Sequence, residues 1–122
     1  MRDHTKRRAF ELADEVAVLV YQATRRFPRE EGYGMTAQMR RAAVSVPSNI
    51  VEGCARKSLA DYLRFLGMAF ASLRELDYQC SLSKRLGYFE ADAAIESKIQ
   101  ESGMVLSALI RLLRKLPNPL TV

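Results

Sequence analysis

Fourteen carboxylates, two cysteines and a single histidine are the side chains in this 122-residue chain from which catalysis or metal binding could be built. His4 stands almost at the N-terminus, where helices fray, so it makes a poor buried general base. No Ser/His/Asp or Cys/His pairing can be assembled around it. Cys54 and Cys80 are far apart, with no C-x-x-C spacing and no histidine partner, which argues against zinc and reads as two reduced, packed thiols. Glu11 and Glu15 lie one helical turn apart, and Glu75 with Asp77 or Glu52 with Asp61 could be imagined as metal-holding pairs. A di-iron bundle needs Glu-x-x-His from each of two helices, and the chain has none, so these acids read as a solvated face. Gly32 and Gly34 in "EEGYGM" lack the partners of a phosphate-binding loop. The expectation is a protein with no catalytic residue, no cofactor, no metal and no small-molecule substrate.

The elements that would carry these residues are helical. Only 6 Gly and 4 Pro interrupt a sequence that is 48% hydrophobic and 27% charged, a globular composition of single-domain length. Phe10, Ala13, Val16 or Ala17, Val20, Ala23 and Phe27 recur at helical spacing over about 6–26, and Pro28 with the two glycines ends that helix. A second stripe over 35–56 runs Met35, Met39, Ala42 or Ala43, Val46, Ile50 and Gly53. Ser58-x-x-Asp61 resembles a capping box and starts a third helix over 59–86, with Tyr62, Leu66, Ala69, Leu73, Leu76, Cys80 and Ser83 inward and Gly87 as the stop. Glu90 and Asp92 favour the start of a fourth helix over 91–116, whose stripe is Ile95, Ile99, Ser102, Leu106, Leu109, Leu113 and Leu116. "PNPLTV" reads as a loose tail.

Four helices of about 30 Å joined by short loops predict one all-α domain over 1–122, an antiparallel up-down-up-down four-helix bundle. Apolar residues beside the stripes, namely Leu12, Leu19, Phe65 and Met68, exceed what one small bundle covers and predict a homo-oligomer. No apolar tract approaches the roughly 20 residues of a membrane span, and Glu11, Asp14 and Glu15 interrupt any signal-like segment, so the chain is expected in the cytoplasm, with no membrane partner.

Pro47 falls inside the second stripe without disturbing its phase. A proline there costs about 3 kcal/mol, because it removes one backbone bond and crowds the carbonyl of Ala43. Ser45, Ser48 and Asn49 could occupy the freed backbone groups of a kinked helix. The competing reading is a true break, with Ser45 capping a new helix whose first turn holds Pro47. Unbroken phase favours the kink.

The run "YGMTAQMRRAAVSVPSNIVEGCARKS" followed by "FLGMAFASLRELDYQCSLSKRLGY" resembles the four-helix-bundle family encoded in intervening sequences of bacterial 23S rRNA genes, also called S23 ribosomal-type proteins. The likeness begins at "AFELADEVAVLVYQATRRFP" and extends through the last helix, and RRAAVSVPSNIVEG is its strongest signature. Members of that family are similar in fold to the basic, ring-forming accessory protein of diversity-generating retroelements, which works with a reverse transcriptase and RNA. The resemblance implies a ring, a homopentamer, in an RNA or ribonucleoprotein setting. It implies no catalytic residues.

Charge placement supplies an independent pointer. The chain carries 19 basic and 14 acidic residues, a net charge of +5. Arg25-Arg26, Arg56-Lys57, Lys84-Arg85 and Arg114-Lys115 sit at the four predicted helix C-termini, where the helix dipole already favours cations. Lys6, Arg7 and Arg8 at the start of the first helix, and Arg40 and Arg41 early in the second, have no such excuse. Antiparallel topology gathers Arg2, Lys6, Arg7, Arg8, Arg56, Lys57, Arg111, Arg114 and Lys115 at one end against Asp3, Glu11, Glu52 and Asp61. The other end holds Arg25, Arg26, Arg29, Arg40, Arg41, Lys84 and Arg85 against Glu30, Glu31, Glu90 and Asp92. Arg64, Arg74 and Lys98 fall in an acidic waist with Asp14, Glu15, Glu75, Asp77, Glu96 and Glu101. The candidate nucleic-acid contacts are therefore Lys6, Arg7, Arg8, Arg40, Arg41, Arg56, Lys57, Arg114 and Lys115, touching phosphates without reading bases. Tyr33 and Phe27 read as loop packing rather than stacking platforms. The rival expectation is a protein-interaction scaffold whose positive ends meet an acidic partner and never touch nucleic acid.

Overall fold

A computed structural model of the chain describes residues 2–89 and 93–117, the side chains of Arg2, Asp3 and Ala93 excepted. Among the described residues regular structure is helical throughout: α1 (Arg2–Thr24), a 3-10 turn (Arg29–Glu31), α2 (Met35–Cys54), α3 (Leu59–Arg85) and α4 (Ala93–Arg114). The acids Glu90 and Asp92, the side chains of Arg2 and Asp3, and the tail beyond Pro117 lie outside the described residues.

Each boundary has a local cause. Ser58 Oγ accepts the Asp61 N–H at 3.0 Å, which caps α3 at the position the sequence indicates. At the other end Gly87 takes φ +78°, a left-handed value that glycine adopts without a Cβ clash. The Gly87 N–H then donates to Lys84 O and the Tyr88 N–H to Ser83 O, a Schellman closure. The start of α2 has no capping side chain at Gly34, and Glu31 Oε1 instead accepts the Met35 N–H at 2.9 Å.

Helices α1 and α3 each pack against both α2 and α4. Along α2 and α3, Met39 meets Ser83, Ser45 meets Ser72, and Cys54 meets Tyr62, so the two run in opposite directions. Lys84 on Glu96 and Leu73 beside Gly103 show the same reversal between α3 and α4. Arg40 on Thr24 sets the start of α2 against the end of α1, while Arg8 and Lys98 reach across between α1 and α4. The chain is thus an antiparallel four-helix bundle.

The core holds the stripes of α2, α3 and α4 as spaced in the sequence, from Met39 to Gly53, Tyr62 to Ser83 and Ile95 to Leu113. In α1 the buried face is Ala9, Leu12, Ala13, Val16 and Val20. This corrects two assignments: Phe10, expected inward, is exposed, and Leu12, expected on an outer face, is fully buried. Positions 9, 13, 16 and 20 satisfy the same three-and-four spacing as the expected stripe, displaced at its start by one residue. Two flanking helices also demand a wider apolar face from α1 than a single seam provides. The thiols are corrected too, since Cys80 is buried but Cys54 is exposed. Burial is the largest influence on Cys80, whose thiol is pushed up to about 12.

Pro47 lies within a continuous α2, so Ser45 is mid-helix and caps nothing. Asn49 Nδ2 donates to Ser45 O at 2.8 Å and to Ser45 Oγ at 2.9 Å, while Ser45 Oγ shares a hydrogen bond with Ser72 Oγ of α3 at 2.8 Å. Asn49 therefore serves the carbonyl of Ser45 rather than that of Ala43. Ser48 faces solvent beside Phe10, Pro47 and Val51.

Candidate nucleic-acid interface

The tip formed by the starts of α1 and α3 with the ends of α2 and α4 collects the largest group of cations. Its floor is aromatic. Lys6 Nζ lies 5.6 Å from the centre of the Tyr62 ring, and the guanidinium carbons of Arg56 and Arg64 each lie 4.7 Å from the centre of the Phe65 ring. Arg56 is also held by Glu52 at 2.6 Å and Arg64 by Asp61 at 3.6 Å. Arg64, expected in the acidic waist, thus joins the tip cluster through a ring it shares with Arg56. Below them Gly53 admits a close approach of α2 to α3, since a Cβ there would stand 2.9 Å from Tyr62 Cδ1 and 3.0 Å from Phe65 Cβ. Cys54 Sγ donates to Tyr62 Oη at 3.6 Å, and burial, with Cys54 second, drives the Tyr62 phenol well above its ordinary value.

The nine candidate cations divide into two classes. Lys6, Arg8, Arg40 and Arg56 have partners within the fold. Arg8 pairs with Glu101 at 2.6 Å across α1 and α4. Arg40 Nε donates to Thr24 Oγ1 at 2.8 Å and its guanidinium covers the Tyr21 ring at 4.6 Å, which gives this cation at the start of α2 a structural task. Arg7, Arg41, Lys57, Arg114 and Lys115 are exposed, and their side chains have no hydrogen bond, ion pair or ring contact among the described residues. Arg41 is at the far tip, so the unpartnered set at the α1-start tip is Arg7, Lys57, Arg114 and Lys115.

Three acids of the waist bridge helices. Glu15 accepts from Lys98 at 3.0 Å, Glu96 from Lys84 at 2.8 Å, and Glu101 from Arg8, with Lys98 also within 3.8 Å of it. Glu75 accepts weakly from buried Gln79 at 3.4 Å.

The far tip has a constellation that sequence reasoning missed. Tyr88 Oη donates to Glu31 Oε2 at 2.5 Å while Glu31 Oε1 caps α2. The Tyr88 and Phe89 rings pack on Phe27 at 5.4 and 5.7 Å. The tyrosine bond, then the Met35 N–H, hold the Glu31 carboxyl below its ordinary value, and the same bond raises the Tyr88 phenol. Partners 57 residues apart leave no local spacing signal. Phe27 packs as expected, but Tyr33 does not, because it is fully exposed.

Residues 5–108 match the family model of the 23S rRNA-intervening sequence protein. Among solved structures, a protein of unknown function from the S23 ribosomal protein family of Bacteroides thetaiotaomicron is similar in fold, with a TM-score of 0.72 and 24% identity. The match covers 91% of this chain and 99% of that one. No curated protein matches the chain. Neither description names an enzymatic activity. No helix among the described residues is long and apolar enough to cross a membrane.

Proposed function

The chain belongs to the 23S rRNA-intervening sequence protein family, and from that footing we propose that it is a non-enzymatic, ring-forming bundle acting as a basic adaptor for RNA or a ribonucleoprotein. The observation that carries this reading is the unpartnered set Arg7, Lys57, Arg114 and Lys115, set around arginines already fixed on Phe65 at one tip. Fixed cations lose little side-chain entropy on meeting phosphates, and mobile ones adapt to the spacing of the backbone. The interface reads charge, not sequence.

A ring is supported by two grooves on opposite faces. One lies between α1 and α2, lined by Phe10, Pro47 and Val51, and the other between α3 and α4, lined by Phe70, Arg74 and Met104. Unlike faces meeting head to tail generate rotation rather than a two-fold pair, and five copies is the number the family likeness implies. Each copy then adds its tip to a common face.

Labelled RNA titrated into the purified chain at low ionic strength should be retained, and retention should fall steeply as salt rises. If no RNA is retained even at low salt, the adaptor contacts an acidic protein instead and the nucleic-acid reading is lost.

A further inference from the structure

The far tip carries a feature of a different kind from a phosphate-gripping patch. Tyr33 is the most exposed large hydrophobic residue among the described residues. Single exposed apolar residues are ordinary. What sets this one apart is its mounting and its neighbours.

The mounting is a hydrogen-bonded turn. Tyr33 stands between Gly32 and Gly34, whose N–H groups donate to Arg29 O and Glu31 O, both at 3.0 Å. The Glu31 carboxylate is tied on one oxygen to the first turn of α2 and on the other to Tyr88. The turn is therefore braced from α2 and from the loop after α3. The Tyr33 ring has no ring contact and its phenol no hydrogen bond among the described residues. Such a ring is an exposed π-face on a braced turn.

The neighbours are arginines. Arg25, Arg26 and Arg29 lie on the same connection from α1 to α2, and Arg41 lies two turns into α2. All four are exposed, and none of their side chains has a partner among the described residues. Of the acids described at this tip, Glu31 is committed to its two hydrogen bonds, which leaves Glu30. An exposed aromatic face on the same connection as unpartnered guanidinium groups fits an unpaired nucleobase stacked on the ring, with its phosphates on the arginines. Duplex nucleic acid hides its base faces and cannot use the ring.

We infer that the Tyr33 tip is a stacking platform for single-stranded nucleic acid. This rests on the nucleic-acid reading above and adds to it a second surface and a preference for unpaired strands.

The chain contains no tryptophan, so Tyr33→Trp installs a lone reporter in an exposed position where folding is undisturbed. Adding single-stranded oligouridylate should quench its emission, and adding duplex RNA of equal length should not. In fluorescence anisotropy, Tyr33→Ala should weaken oligouridylate binding on the order of tenfold, Tyr33→Phe should bind as the parent does, and duplex binding should be unchanged in both. Unaltered oligouridylate affinity in Tyr33→Ala, or an unquenched tryptophan at saturation, overturns the platform while the phosphate-gripping reading stands. If the parent protein binds neither RNA, both fall together.

Discussion

Glu31 shows how much of a helix junction can depend on one carboxylate. Its two oxygens cap α2 and hold Tyr88, which packs on Phe27 beside Phe89. Both bonds favour the charged form, so the folded-state pKa lies below the ordinary carboxylate value. The linkage sign follows: the stabilisation is fully present above the ordinary value and is lost as pH falls through the depressed one. On the alkaline side the raised Tyr88 phenol acts oppositely, contributing below its ordinary value and ceasing as pH rises through the elevated one. Glu31→Ala should therefore lower the melting temperature by a few degrees at neutral pH. The deficit against the parent should shrink on acidification, as followed by circular dichroism. A deficit that persists unchanged in acid would show that the carboxylate charge is not the source.

Glycines report where helices press together. A Cβ at Gly53 would enter the van der Waals space of Tyr62 and of the Phe65 backbone-proximal carbon, whereas at Gly67 in α3 it would meet nothing within 4 Å. Alanine gains about 1 kcal/mol over glycine in a helix interior, and overpacking a tight contact costs about 1–3 kcal/mol. Gly67→Ala should stabilise by up to about 1 kcal/mol and Gly53→Ala should destabilise, read as opposite shifts of the urea midpoint. Equal shifts of one sign would mean that α2 and α3 are not in close contact there. The stripes of α2, α3 and α4 were legible because three-and-four spacing of Leu, Ile, Val and Ala admits one inward face in each. In α1 it was not so selective. Ala9 and Leu12 compete with Phe10 for the inward face, and size favoured the wrong residue, since a wide phenyl ring suits a groove edge while an alanine lets α1 sit close to its neighbours. The Arg56, Phe65 and Arg64 stack was hidden for another reason: Arg64 precedes Phe65 in sequence, but Arg56 reaches it only across the α2–α3 turn.

At the scale of the whole molecule, the decisive contrast is between cations that the bundle consumes and cations that it leaves over. Arg8, Lys84 and Lys98 are spent on carboxylates that tie α4 to its neighbours, and exposed pairs of this kind contribute about 0–1 kcal/mol each. Salt should thus leave the fold nearly untouched while eroding any hold on phosphates. For a single strand the slope of log affinity against log salt is about −0.7 per phosphate neutralised, so one tip with four free cations reaches about −3. A ring presenting several tips on one face should be steeper. Val51 is exposed on the α1–α2 groove, outside the core, so Val51→Glu should leave each bundle folded and put a charge where a neighbouring copy would seat. The expected result is a fall in sedimenting mass to the 13.8 kDa of one chain, with the salt slope dropping toward the single-tip value at unchanged helicity. A parent chain that already sediments as 13.8 kDa removes the ring, and RNA binding then rests on the tips of a single copy.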